Sequence, residues 1–167
     1  YSKELKLLLQ SDDFYTKYYT IEALGKIKDT TSLVQIREVL RNSDAGIRGV
    51  AATTLGMLGD KIVIPDLLAV IERDYEFSVR YKASESLGKF QDISAIPILM
   101  KMFKDVESSN HLVGEIGLEK AGEIAKSHGN VDEQINCLRH VGKNDQALAL
   151  AKEHQKHDIA LVLLRPS

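Results

Sequence analysis

Ile47-Arg48-Gly49-Val50-Ala51-Ala52-Thr53-Thr54-Leu55-Gly56 decides how this chain folds, because its frame returns as Val79-Arg80-Tyr81-Lys82-Ala83-Ser84-Glu85-Ser86-Leu87-Gly88. A less complete copy precedes both, ending in Leu24-Gly25, so the Leu-Gly pairs stand 31 and 32 residues apart. A period of this size belongs to helical hairpins that bury their apolar faces only by stacking on one another. The fold class expected is all-α, a right-handed α-solenoid.

Working outward from the frame, each unit opens on an acid, Asp13, Asp44 or Glu76, placed to accept hydrogen bonds from the free N–H groups of a first helical turn. Four residues on comes a base, Lys17, Arg48 or Arg80, one turn away on the same face. Small residues follow at Thr20, Ala51 and Ala83, where helices approach closely, and the Gly after Leu keeps that packing tight or begins the turn. Asp29, Asp60 and Asp92 fall between the helices and are expected to cap the second one. The second helices carry apolar residues at helical spacing: Leu33, Ile36, Leu40; Ile64, Leu67, Ile71; Ile96, Leu99, Phe103. Pro65 and Pro97 suit the first turn of such helices, where a missing N–H costs little.

This pattern predicts helices over 2–10, 14–27, 31–42, 45–58, 61–73, 77–90, 93–104, 110–127, 131–141, 144–153 and 156–164. No two-residue alternation is sustained, so strands are not expected. Residues 1–12 read as the second helix of a repeat whose first helix is missing, and Leu5, Leu8 and Leu9 hold its apolar positions. That half-unit belongs to a longer array or acts as a cap. Residues 13–127 read as the repeats, the fourth of them degenerate: Asn110 is its opening cap, Gly114 replaces the base and Ala121-Gly122 replaces Leu-Gly. After the turn signal Ser127-His128-Gly129-Asn130, residues 128–167 read as shorter hairpins or a C-terminal cap, with stripes at Ile135, Leu138, Val141 and at Ala147, Leu148, Leu150, Ala151.

Composition excludes several classes. A hydrophobic fraction of 44% with 28% charged residues fits a folded chain rather than a disordered one. Net charge is −2, so no overall field draws the chain to nucleic acid or an anionic membrane. No apolar run approaches the roughly 18 residues of a membrane span, and no secretory leader pattern opens the sequence. The single cysteine, Cys137, excludes an internal disulfide framework and fits a reducing compartment, so a cytoplasmic location is expected.

Candidate chemistry is thin. His154 and His157 sit three apart, a spacing that brings two imidazoles to one helix face, but no further ligands accompany them, and they read as surface residues. Cys137 lies in an apolar stripe and reads as a small buried hydrophobe without an activating base. No phosphate loop, dinucleotide fingerprint or nucleophile elbow occurs. No catalytic residue, cofactor site or metal site is assigned, and the chain is not expected to be an enzyme. Lys17, Arg48 and Arg80 form a ladder, expected to pair with their own acids or with Asp29, Asp60 and Asp92.

The frame Val/Ile-Arg-x-x-Ala-x-x-x-Leu-Gly resembles HEAT-type repeats, and within them the phycobilisome-lyase-like subgroup; the resemblance covers roughly residues 1–127. Thr16-Lys17 and Gly114 depart from it. It implies kinship with bilin-attachment lyase subunits, an iron-dependent hydroxylase and many scaffolds, so it does not set the function. The hydroxylase branch would need His-Glu pairs at helix starts, and this chain has none. The expected function is therefore a non-catalytic scaffold that binds a protein or peptide along the concave face of the second helices. The alternative that the resemblance implies is an accessory subunit of a bilin lyase or a chromophore-handling chaperone. Candidate partner-binding positions on that face are Gln35, Glu38, Arg41, Asp66, Glu72, Arg73, Lys101 and Lys104, mixed in sign and so suited to a patterned polar partner. A second candidate is the aromatic cluster Phe14, Tyr15, Tyr18 and Tyr19, which with Tyr81 could flank a groove over the small residues Ala45, Gly46 and Gly49.

Overall fold

In the computed structural model, residues 2–104 and 111–163 are described, with side chains for 2–100, 118–160, 162 and 163. Among the described residues there are only helices and turns. The chain separates into two compact units, Tyr1–Phe90 and Gln91–Ser167, whereas the change in hairpin type was expected at residue 128.

The first unit holds α1 (Ser2–Leu8), α2 (Phe14–Lys26), α3 (Leu33–Val39), α4 (Ala45–Leu58), α5 (Ile64–Arg73) and α6 (Phe77–Gly88). First helices stack in the order α2, α4, α6, while α3 packs on α4 and α5 on α6. Their shared core contains Ile21, Leu24, Ile36, Leu55, Leu67, Ile71 and Leu87, each no more than 2% exposed. Burying one such side chain contributes about 1.5–3 kcal/mol, far more than any cap or surface pair, so the apolar seam dominates stability.

The Leu-Gly glycines serve close packing rather than the turn. A methyl placed on Gly56 would stand 2.6 Å from Ser86 Cβ of the next first helix, and one on Gly25 would stand 3.0 Å from Thr54 Cγ2. Thr54 uses that proximity to donate its hydroxyl to the Ile21 carbonyl at 3.2 Å. Three residues beyond the glycine of each Leu-Gly pair, past the helix end, the backbone turns left-handed, at Lys28 (φ 52°), Gly59 (φ 72°) and Gln91 (φ 51°).

Second helices begin with a single 3-10 turn, at Thr30–Ser32 and Lys61–Val63 in this unit and at Ile93–Ala95 in the other. The anticipated aspartates cap those turns: Asp29 accepts from Thr31 N at 3.1 Å, Asp60 from Ile62 N at 3.0 Å and Asp92 from Ser94 N at 2.9 Å. Among the opening acids, Asp13 accepts from Thr16 N and Asp44 from Ile47 N, but Glu76 makes no such bond.

The second unit holds α7 (Ile96–Lys104), α8 (His111–Ser127), α9 (Val131–His140), α10 (Asn144–Glu153) and α11 (His157–Leu163). Ile135, Ala147, Ala151 and Ala160 form its later core, with Leu138, Leu148 and Leu150 packed against it. Asn130 accepts from Glu133 N and opens α9, and Gly129 and Gly142 supply the left-handed turns on either side. The expected opening cap Asn110 lies outside the described residues, as do the side chain of Phe103 and the side-chain surroundings of Gly114. His154 closes α10 and His157 opens α11, so the two do not share a helix face as expected; Gln155, at φ 55°, turns the chain between them.

Candidate functional site

Two depressions in the first unit flank α3. One, of about 230 Å³, is lined by Lys17 and by Gln35, Glu38 and Arg41 of the expected set, with Leu9, Gln10, Val39 and Asn42. The other, of about 280 Å³, lies between α3 and α5 and brings together Arg41, Asp66 and Arg73 with Arg37, Leu40, Ala69, Val70, Asp74 and Tyr75. Arg41 stands on the ridge between the two. Glu72 is beside Arg73, with Oε2 and Nε 3.8 Å apart. Lys101 and Lys104 have side chains outside the described ones, so their place is not assigned.

Arg37, Asp74 and Tyr75 were absent from the expected set, yet they build the second depression. Arg37 Nε meets Asp66 Oδ2 at 2.8 Å and bridges α3 to α5. Asp74 takes the Arg48 guanidinium at two points, 2.7 Å and 3.0 Å, and Tyr75 lies under it with its ring centroid 4.6 Å from Arg48 Cζ. Arg48 is 4% exposed and spends its remaining reach on the Asn42 and Ser43 carbonyls at 2.8 and 2.9 Å. The Asp74 hydrogen bonds hold it protonated, raising its pKa above the ordinary arginine value.

This corrects the expected ladder. Arg48 pairs neither with Asp44 four residues before it nor with an inter-helix aspartate; it pairs with the aspartate that precedes the next hairpin. Arg80 donates to the Asp74 carbonyl six residues before it at 2.7 Å, as Arg48 does to the Asn42 carbonyl. The signal was present in the register: Ser11, Asn42 and Asp74 precede the opening acids by two residues, and each accepts from that acid's N–H, at 3.2, 2.9 and 2.9 Å. A reading that starts each unit at the acid passes over this position.

The aromatic cluster exists, but the groove between Tyr18 and Tyr81 does not. Phe14 and Tyr18 stack at 5.8 Å, Tyr15 and Tyr19 at 6.5 Å. Yet the Phe14 ring already lies over Gly46, and the Lys82 stem occupies the space at Gly49, where a methyl would be 2.9 Å from Cδ. The small residues of α4 are thus covered by their neighbours. Tyr15 and Tyr19, 66% and 59% exposed, instead line an open depression of about 380 Å³ with Leu5 and Leu8.

In the second unit, Cys137 sits in a depression of about 330 Å³ with Leu118, Gly122, Leu138 and Val141, rimmed by Glu119, Lys126 and Lys143. Burial pushes its thiol up to about 11, with Glu133 adding to the rise, so it is not a nucleophile near neutrality. No group of three or more His, Cys, Asp or Glu among the described residues is placed to hold a metal. No helix among them is long and apolar enough to cross a membrane.

Comparison with known proteins agrees with this architecture. The family model for HEAT repeats matches residues 2–77, and that for the PBS lyase HEAT-like repeat matches 79–105. No curated protein matches. Among solved structures, this chain is similar to a chain in the complex of CpcE and CpcF of phycocyanin lyase from Nostoc sp. PCC7120, with 27% identity and a TM-score of 0.68. The likeness covers 84% of this chain and 59% of that one, so this chain spans well under two thirds of the neighbour's length. The repeated register and the stacked first helices fit both family matches, so residues 2–77 carry HEAT repeats and residues 79–105 a PBS lyase HEAT-like repeat.

Proposed function

We propose that this chain is a protein-docking subunit of the bilin-lyase type, which engages a second protein along the groove at α3 and α5 while a linear tetrapyrrole is passed to a carrier. The observation that carries this reading is the extent of the likeness to the phycocyanin-lyase chain. At 84% of this chain it takes in residues beyond 105, where the repeat models stop. Titration of the purified chain with a linear bilin, alone and with an apo-carrier protein, tests it by visible absorbance. A shifted band that transfers to the carrier is expected; an unaltered spectrum in both mixtures would end the chromophore part of the reading.

A scaffold role without a chromophore is the second reading, favoured by the dimensions of the depressions. They range from about 230 to 380 Å³ and are open at the surface. Sites that enclose a small molecule usually hold about 300–1,000 Å³, and the two depressions that flank α3 fall below that range. Side chains of a partner protein suit these volumes better than an enclosed tetrapyrrole. Under this reading a partner is recovered by crosslinking and the bilin spectrum stays flat.

A further inference from the structure

Arg41, just past the end of α3, and Arg73, the last residue of α5, both line the 280 Å³ depression between those helices. The other charges there are already engaged. Arg37 holds Asp66, and Arg48 holds Asp74. Glu72 comes no closer to Arg73 than 3.8 Å, and both side chains are largely exposed, a contact of little worth in water. Arg41 makes no ion pair among the described residues. A positive excess therefore stands beside the apolar lining residues Leu40, Ala69 and Val70.

Two arginines that only complemented their helix C-termini would explain their place in the sequence. They would not require apolar residues beside them. Carboxylates carried on aliphatic stems match both features, the charge and the apolar lining. We propose that this groove receives an extended acidic segment of a partner protein, with one carboxylate on Arg41 and a second on Arg73.

Arg41 lies past the end of α3 and Arg73 ends α5, so they suit two carboxylates on one side of an extended segment rather than two adjacent ones. A polyproline II segment advances about 3.1 Å per residue with three residues per turn, so residues i and i+3 face the same side. The motif this selects is acid-x-x-acid in that conformation. This inference rests on the second-helix groove as the docking face, and names the chemistry of what docks there.

Fluorescence anisotropy with the whole chain and labelled peptides tests it. A Glu-Pro-Pro-Glu peptide should bind more tightly than its Gln-Pro-Pro-Gln counterpart and than one with adjacent glutamates. The double variant Arg41→Gln/Arg73→Gln should weaken it about tenfold, equivalent to about 1.4 kcal/mol, with an unchanged circular dichroism spectrum. The proposal is overturned if the glutamine peptide binds equally well, if the adjacent-glutamate peptide binds as tightly, or if single-stranded DNA displaces the peptide at lower concentration. The peptide series on the unaltered chain keeps the question answerable should the variant fold poorly. Peptide binding without a bilin response would remove only the lyase reading; a bilin response without peptide binding would remove only this clamp.

Discussion

Arg48 and Asp74 meet in a two-point ion pair, Nε to Oδ2 at 2.7 Å and Nη2 to Oδ1 at 3.0 Å, with side chains only 5% and 7% exposed. The pair ties the turn before α4 to the turn before α6, and Tyr75 adds a second tie by donating its hydroxyl to the Ser43 carbonyl at 3.3 Å. Because Asp74 and Tyr75 also line the α3–α5 groove, this one contact couples the stacking of two hairpins to the shape of the candidate docking face. Removing the cation would leave a buried carboxylate without a counter-charge. Arg48→Met is expected to cost about 3–5 kcal/mol in urea denaturation. Arg48→Lys should recover only part of it, because an ammonium cannot make the two-point contact; equal stability of the Met variant and the parent would refute this role.

Close approach at Gly56 leads to a contrast between two glycines. Gly56→Ala puts a methyl 2.6 Å from Ser86 Cβ and 2.9 Å from its Cα, which only a shift of α6 away from α4 relieves. Overpacking of that kind costs roughly 1–3 kcal/mol. Gly122→Ala meets Cys137 Cβ at an ordinary 3.5 Å and should be neutral or slightly stabilising through the better helix propensity of alanine. Thermal denaturation of the two variants side by side measures the difference.

Lys28 offers a stabilising change. It holds φ 52° where the equivalent residue of the next hairpin is Gly59, so a side chain is carried in a conformation that glycine adopts freely. Lys28→Gly should gain about 0.5–1 kcal/mol, less than the full left-handed penalty because glycine also loses more chain entropy on folding. A lower melting temperature for Lys28→Gly would show that the lysine side chain contributes something the backbone cost conceals.

Acid sensitivity should be concentrated at Asp29. Its carboxylate accepts from the hydroxyls of Ser2, Ser32 and Thr31, each at 2.6 Å, and these bonds hold its pKa well below the ordinary 3.8. A carboxylate whose folded pKa is depressed contributes fully above the unfolded value and loses that contribution progressively as pH falls from there through the folded value. Parent and Asp29→Asn should therefore differ most above about pH 4 and converge as pH falls below it. Melting temperatures taken from neutral pH down to about pH 3 test this; a constant difference across the series would rule it out.

Much of this architecture could be read from local chemistry. The 31- and 32-residue recurrence of Leu-Gly, the prolines at helix starts and the aspartates between helices describe interactions within a few residues of one another, and the helices begin within a residue or two of their expected positions except α5 and α7, which start three residues later. The 3-10 turns ahead of the second helices were not anticipated, because the same aspartate can cap a helix or a 3-10 turn. Gln35, Glu38 and Arg41 share one depression and Arg41, Asp66 and Arg73 another, as helical periodicity on one face would place them.

What periodicity could not supply was the partner of each side chain across the stack. Arg48 lies four residues from Asp44 and 26 from Asp74, and in sequence the nearer acid has the stronger claim. The packing angle of α4 aims the guanidinium at the turn before α6, where burial raises the worth of a two-point contact. The same packing lays Phe14 over Gly46 and Lys82 over Gly49, filling a space that residue sizes alone leave empty between Tyr18 and Tyr81. Helix identity and register follow from forces that act along the chain, whereas pairing and free volume depend on how rigid helices rotate against one another, a degree of freedom that no local pattern encodes.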